Sequence, residues 1–93
     1  MGKSVSVEKE AIVGGKKCCS TSIEVQKSTI KCLKEQYSRA GSNGWNDSKY
    51  KALGALIMEC CNSMTSSVKE LEDCVDKLDR LARMIDKYES VNI

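Results

Sequence analysis

Six cysteines are the most reactive side chains in this sequence, and their spacing is ordered. Cys18, Cys19 and Cys32 recur as Cys60, Cys61 and Cys74, each 42 residues further on, so the arrangement CC-x12-C appears twice. Thiols in such a pattern could ligate a metal, pair as disulfides or act as nucleophiles. Neighbouring cysteines point to different sides of a helix and chelate zinc poorly compared with a CxxC pair. A nucleophilic thiol or hydroxyl needs a base beside it, and the chain contains no histidine. The acids Glu70, Glu72, Asp73, Asp76 and Asp79 alternate with lysine and arginine around a helix rather than converging. GGKKCCS at positions 14–20 lacks the spacing of a phosphate-binding loop. The residues therefore predict no catalytic group, no metal site and no cofactor, and a non-enzymatic protein. The thiols read first as small, buried, hydrophobic side chains in a reducing or anaerobic organism, with intermolecular disulfides or metal clustering as the alternatives.

The elements that must position these residues follow from composition. The chain has 93 residues, no proline and no phenylalanine, and 30% of it is charged. Without proline, long uninterrupted helices are the natural reading. No stretch approaches the roughly 18–20 apolar residues of a membrane span, so no membrane insertion is expected. MGKSVSVEKE lacks the apolar core of a cleaved secretory signal. Residues 1–44 carry eight basic and four acidic side chains, and residues 45–93 carry seven and nine. That mild asymmetry favours the halves lying side by side, and without lysines interleaved with aromatics it predicts no nucleic-acid surface.

Helical periodicity is strongest in the second half. Tyr50, Ile57, Met64, Leu71, Leu78 and Ile85 form one row with a seven-residue repeat. A second row runs Leu53, Cys60, Ser67, Cys74, Leu81 and Tyr88, and a third Gly54, Cys61, Val68, Val75 and Ala82. Three rows make a stripe wider than a two-stranded coiled-coil seam. In the first half Ile12, Cys19, Ile23, Ile30, Leu33, Tyr37 and Ala40 follow three- and four-residue steps, interrupted by Lys16 and Gln26. Ala11, Cys18, Val25 and Cys32 run beside them. The prediction is an all-α antiparallel helical hairpin in one domain: helix one over about 7–39, a turn over 40–46, and helix two over about 47–89. The Gly14-Gly15 pair leaves open whether helix one runs through it or starts after it.

Between the helices, Gly41 can take the left-handed conformation of a helix end, Asn43-Gly44 is a strong turn dipeptide, and Asp47 or Ser48 can cap helix two. Folding about residue 44 sets Tyr37 near Tyr50 and Leu53, Ile30 near Ile57 and Cys60, Ile23 near Met64, and Ile12 near Val75. Trp45 then falls at the tip, where its ring can close the open end of the core. The expected interface residues are Ile23, Ile30, Leu33, Tyr37, Tyr50, Leu53, Ile57, Met64, Val68, Leu71, Val75, Leu78 and Ile85. Two helices cover only their facing stripes, so a second hairpin completing a four-helix bundle is expected, with the small residues Gly54, Cys61 and Ala82 admitting a partner helix.

Two helices of near-equal length with Trp45 in the turn resemble the WXG family of small proteins exported by type VII secretion systems. The resemblance covers nearly the whole chain, and its specific motif is Gly44-Trp45-Asn46-Asp47. The family pattern has glycine two residues after the tryptophan; here Asp47 stands there, where it would cap helix two. The family's C-terminal export signal, a tyrosine followed four residues later by an acid, has its counterpart in Tyr88 and Asn92, which is not an acid. The resemblance implies a hairpin that forms a homodimer or heterodimer with another hairpin, or with the N-terminal helical region of a secreted toxin. It also implies a tip, Gly44, Trp45 and Asp47, that is recognised. Such a protein is cytoplasmic before export and leaves without a cleaved signal peptide. The alternative is a cytosolic coiled-coil adaptor or antitoxin-like module with no export.

Overall fold

The computed structural model describes the backbone of residues 2–91 and the side chains of residues 7–88. Two helices, α1 (Gly2–Ser42) and α2 (Ser48–Val91), pack against each other as an all-α hairpin, with no strand among the described residues. Both exceed their expected bounds. Helix α1 begins at Gly2 and passes through Gly14-Gly15 without a break. Gly14 faces open space and Gly15 contacts Leu78, so the pair costs helix propensity but meets no steric obstacle.

The turn is Asn43–Asp47, and its chemistry is a Schellman motif. The Trp45 N–H donates to the Ala40 carbonyl at 3.2 Å and the Gly44 N–H to the Gly41 carbonyl at 3.1 Å. These two bonds satisfy carbonyls that the end of α1 would otherwise orphan. They require a left-handed residue, and Gly44 supplies it with φ of 97°. Gly41, expected to be left-handed, instead remains inside α1.

Along its helices the chain divides into two compact units, Glu24–Lys69 around the turn, and Met1–Ile23 with Glu70–Ile93. In the first unit the seam consists of Ile30, Leu33 and Tyr37 against Tyr50, Gly54, Ile57, Cys61 and Met64. Cys61 and Val68 are its buried side chains. In the second unit Ile12 is buried, with Cys19, Leu71, Val75, Leu78, Ala82 and Ile85 half-buried. Lys9 pairs with Asp86 at 2.7 Å, and Lys16 pairs with Asp79. The polar interruption at Lys16 is thus met by an acid of α2, although a part-exposed pair of this kind contributes only about 0–1 kcal/mol.

Three expectations are corrected here. The small residues Gly54 and Cys61 belong to the intramolecular seam, because the Tyr37 ring of α1 lies over Gly54 and Cys61 is buried. They therefore admit α1 rather than a partner helix. The second row is turned mostly outward, so its thiols are not buried as expected: Leu53 and Ser67 are half-buried, but Cys60, Cys74, Leu81 and Tyr88 are exposed, as are Ala11, Cys18, Val25 and Cys32 on α1. Helix pairing also differs from a fold about residue 44. Tyr37 lies near Tyr50 as expected, but Gly15 meets Leu78, which carries Ile12 well past Val75. The turn is centred on Trp45 and leaves α1 three residues longer than expected, which moves its partners along α2.

Candidate docking surfaces

A single carboxylate organises the tip. Asp47 Oδ1 accepts the backbone N–H groups of Lys49 and Tyr50, each at 3.0 Å, and the indole N–H of Trp45 at 2.8 Å. The first two bonds make Asp47, not Ser48, the N-cap of α2. The third holds the indole across the turn, its ring 5.6 Å from that of Tyr50 and tilted by 51°. Trp45 closes only part of the hairpin end, since 40% of it stays exposed.

Beneath the tip the helices are clasped by two tyrosines and two glycines. The Tyr37 ring reaches over Gly54, where a Cβ atom would lie 2.6 Å from the tyrosine Cζ. Tyr50 reaches over Gly41, where a Cβ would lie 3.0 Å from its Cζ. The Tyr50 hydroxyl donates to the Tyr37 carbonyl at 3.0 Å. Burial raises the Tyr50 phenol above its ordinary pKa of 10.0, and the hydrogen bond and charge of Tyr37 add to the rise. The arrangement has a sequence signature that periodicity did not expose: each tyrosine precedes a glycine by four residues, in Tyr37-Ser-Arg-Ala-Gly41 and Tyr50-Lys-Ala-Leu-Gly54. Crossed between antiparallel helices, each ring finds the other helix's missing side chain.

The flanks of the seam within Glu24–Lys69 differ in character. A groove of about 370 Å³ is lined by Lys34 and Tyr37 of α1 and by Gly54, Met58, Asn62 and Thr65 of α2, among others. Lys34 follows the seam residue Leu33, and Met58 follows Ile57. Residues on either side of a seam position fall on opposite flanks, so Cys32 and Leu56 share the side away from the groove. Preceding the successive seam residues on that far side are Val25, Thr29, Cys32 and Gln36 of α1 and Lys49, Leu53, Leu56, Cys60, Ser63 and Ser67 of α2, and Glu24 and Glu59 line the hollows beside Val25 and Cys60. The groove side carries Lys27, Lys31 and Lys34 on α1 and Lys51 and Lys69 on α2.

Of the expected interface residues, Val68 is buried and the other twelve are half-buried. Ile12 and Cys61, which lie on the apolar rows but were not among those thirteen, are more deeply buried than those twelve. The expected burial of the thiols is overturned: Cys18, Cys32, Cys60 and Cys74 are exposed, Cys19 is half-buried and only Cys61 is buried, all six being free. Adjacent cysteines fall on different sides of a helix, so one member of each pair turns inward and the other outward. Among the described residues no group of three Cys, Asp or Glu side chains is placed to hold a metal ion, and no helix is long and apolar enough to cross a membrane. No protein-family model, curated protein or solved structure matches this chain.

Proposed function

We propose that the chain is a non-enzymatic helical hairpin of the WXG kind, which docks to another helical hairpin and enters a type VII export route as a dimer or as the escort of a larger secreted effector. The observation that carries this reading is Trp45. An indole fixed at the tip by a carboxylate and left 40% exposed is a preorganised contact, with little ordering entropy to lose on binding. Asp47 also accounts for the departure from the family's glycine, because the same residue starts α2. Tyr88 is exposed near the end of α2, while Asn92 lies outside the described residues.

The test compares culture supernatant with lysate for the native chain and for Trp45→Ala, with helicity followed by circular dichroism. The reading requires the native chain, or its bound effector, in the supernatant, and a selective loss of export or partner binding in the helical variant. Retention of the native chain and its partners in the lysate would favour the second reading, an adaptor or antitoxin-like module that stays in the cytosol. Four exposed thiols favour that alternative, since they persist most readily in a reducing compartment.

A further inference from the structure

We infer that the groove side of the Glu24–Lys69 unit binds a single amphipathic helix with an acidic edge, supplied by a protein other than this chain. The inference goes beyond the reading above: it concerns one face of a lone hairpin and holds whether or not the chain is exported or paired. The groove supplies the apolar half of the match. Its 370 Å³ lie against Tyr37, Ile57 and Met58, with Gly54 and Cys61 beneath. Met58 is 66% exposed, although neither the turn nor the clasp requires an apolar side chain there. From Gly54 to Thr65 the groove follows α2 for about 16 Å, or about three turns of a helix laid along it. A trough between two helices takes a third through apolar side chains spaced three and four residues apart.

Charge selects the occupant. The α1 edge is set with Lys27, Lys31 and Lys34. The α2 edge is neutral at Ala55, Met58, Asn62 and Thr65, with Lys51 and Lys69 beyond its two ends. Among the described residues none of these five lysines has an ion-pair partner, whereas Lys9 and Lys16 of the other unit do. The acids of the bordering segments, residues 27–37 and 51–69, are Glu35 and Glu59, and both turn away. Glu59 lines the hollow beside Cys60, and Glu35, two residues past Leu33, lies on the back of α1. Residues 70–80, by contrast, alternate acids with lysine and arginine. Acids along the edge of an incoming helix that faces α1 meet the three lysines, while its other edge meets neutral α2. An isologous second copy would set these lysines against their own kind. A nucleic-acid strand would answer the lysines but leave the apolar trough uncovered.

The probe is a displayed library of helical peptides about four turns long, selected on the full-length reduced chain. Each peptide has a fixed leucine stripe and edge positions varied among glutamate, lysine, glutamine and serine. Glutamate is expected to dominate one edge and not the other. Binding of the selected peptide, read by fluorescence anisotropy, should weaken by about tenfold or more in Lys27→Glu/Lys34→Glu and in Met58→Asp, and should tighten as salt falls. A peptide with lysine in place of its glutamates should bind Lys27→Glu/Lys34→Glu better than it binds the native chain. Leu56→Asp, at a side chain 59% exposed on the opposite flank of Ile57, is the control and should bind as the native chain does. Asn62→Glu repeats the test should Met58→Asp lose helicity by circular dichroism. Enrichment of lysine, no enrichment at either edge, or equal losses in Leu56→Asp and Met58→Asp overturn the inference. So does single-stranded DNA that binds as tightly and survives Met58→Asp. A native chain at twice its own mass, reduced to the single-chain mass by Met58→Asp but not by Leu56→Asp, would give the groove to a second copy and overturn it as well.

Discussion

Tyr37 and Tyr50 stack with ring centroids 4.2 Å apart and planes 7° from parallel, and each phenol covers a glycine of the opposite helix. The two glycines are therefore filled from across the hairpin. Neither tyrosine can move without uncovering the glycine it seals or displacing the ring it stacks on.

Gly54→Ala is expected to destabilise the hairpin despite alanine's better helix propensity. The new methyl group would overlap Tyr37, and overpacking of this kind costs typically about 1–3 kcal/mol against a gain of up to about 1 kcal/mol. Gly41→Ala acts on the same stack, so the double variant should lose less than the sum of the singles. Gly14→Ala is the control: with nothing within 4 Å of the added methyl, it should stabilise by about 0.5–1 kcal/mol. Urea midpoints for the four proteins check this, and a stabilised Gly54→Ala would contradict the clasp.

Gly44→Ala forces a side chain into the left-handed region that closes α1, at a cost of about 1–2 kcal/mol. Gly44→Asn should recover part of that loss, because asparagine tolerates the conformation better. Equal thermal midpoints for the alanine and asparagine variants would mean that the turn had found another closure.

Asp47→Ala removes the N-cap and the indole's anchor together. Cap loss costs about 0.5–2 kcal/mol. The distinguishing signal is tryptophan emission, which should shift to the red and become more easily quenched by iodide while helicity is largely retained. Unchanged quenching would show that stacking beside Tyr50, rather than the carboxylate, holds the ring.

Alkaline pH should weaken the native fold through Tyr50. Its phenol is held above 10.0 in the hairpin, so the folded state keeps a proton that the unfolded chain releases. That contribution is complete below pH 10 and declines as pH rises towards and through the folded value. Thermal midpoints of native protein and Tyr50→Phe should therefore converge only as pH rises above about 10. Parallel decline across that window would exclude Tyr50 as the source.

Much of this architecture was legible as pattern, and the parts that were not share one cause. Seven-residue rows and the absence of proline gave both helices, and Asp47 beside the turn gave the cap. Which of the two side rows of α2 enters the seam could not be read from hydrophobicity, because Leu53, Leu81 and Tyr88 are more apolar than Gly54 and Ala82. Both rows alternate three- and four-residue steps with the Tyr50 row, so spacing does not separate them. The smaller set lies inward: the Tyr37 ring covers Gly54, and Cys61 and Val68 are buried. Gly41 and Gly44 were likewise equivalent as helix breakers until a ring from the other helix occupied one of them. The cysteines follow the same logic: residue type suggests burial, but which of them is buried depends on which row faces α1.

The crossed rings also limit how the helices can slide. A repeat built on three- and four-residue steps looks nearly the same after a shift of seven residues, so apolar contacts alone would tolerate several alignments. Only one alignment offers both phenols a vacant position. Extra residues spliced into the connecting loop should therefore lengthen the loop and leave the helices where they are.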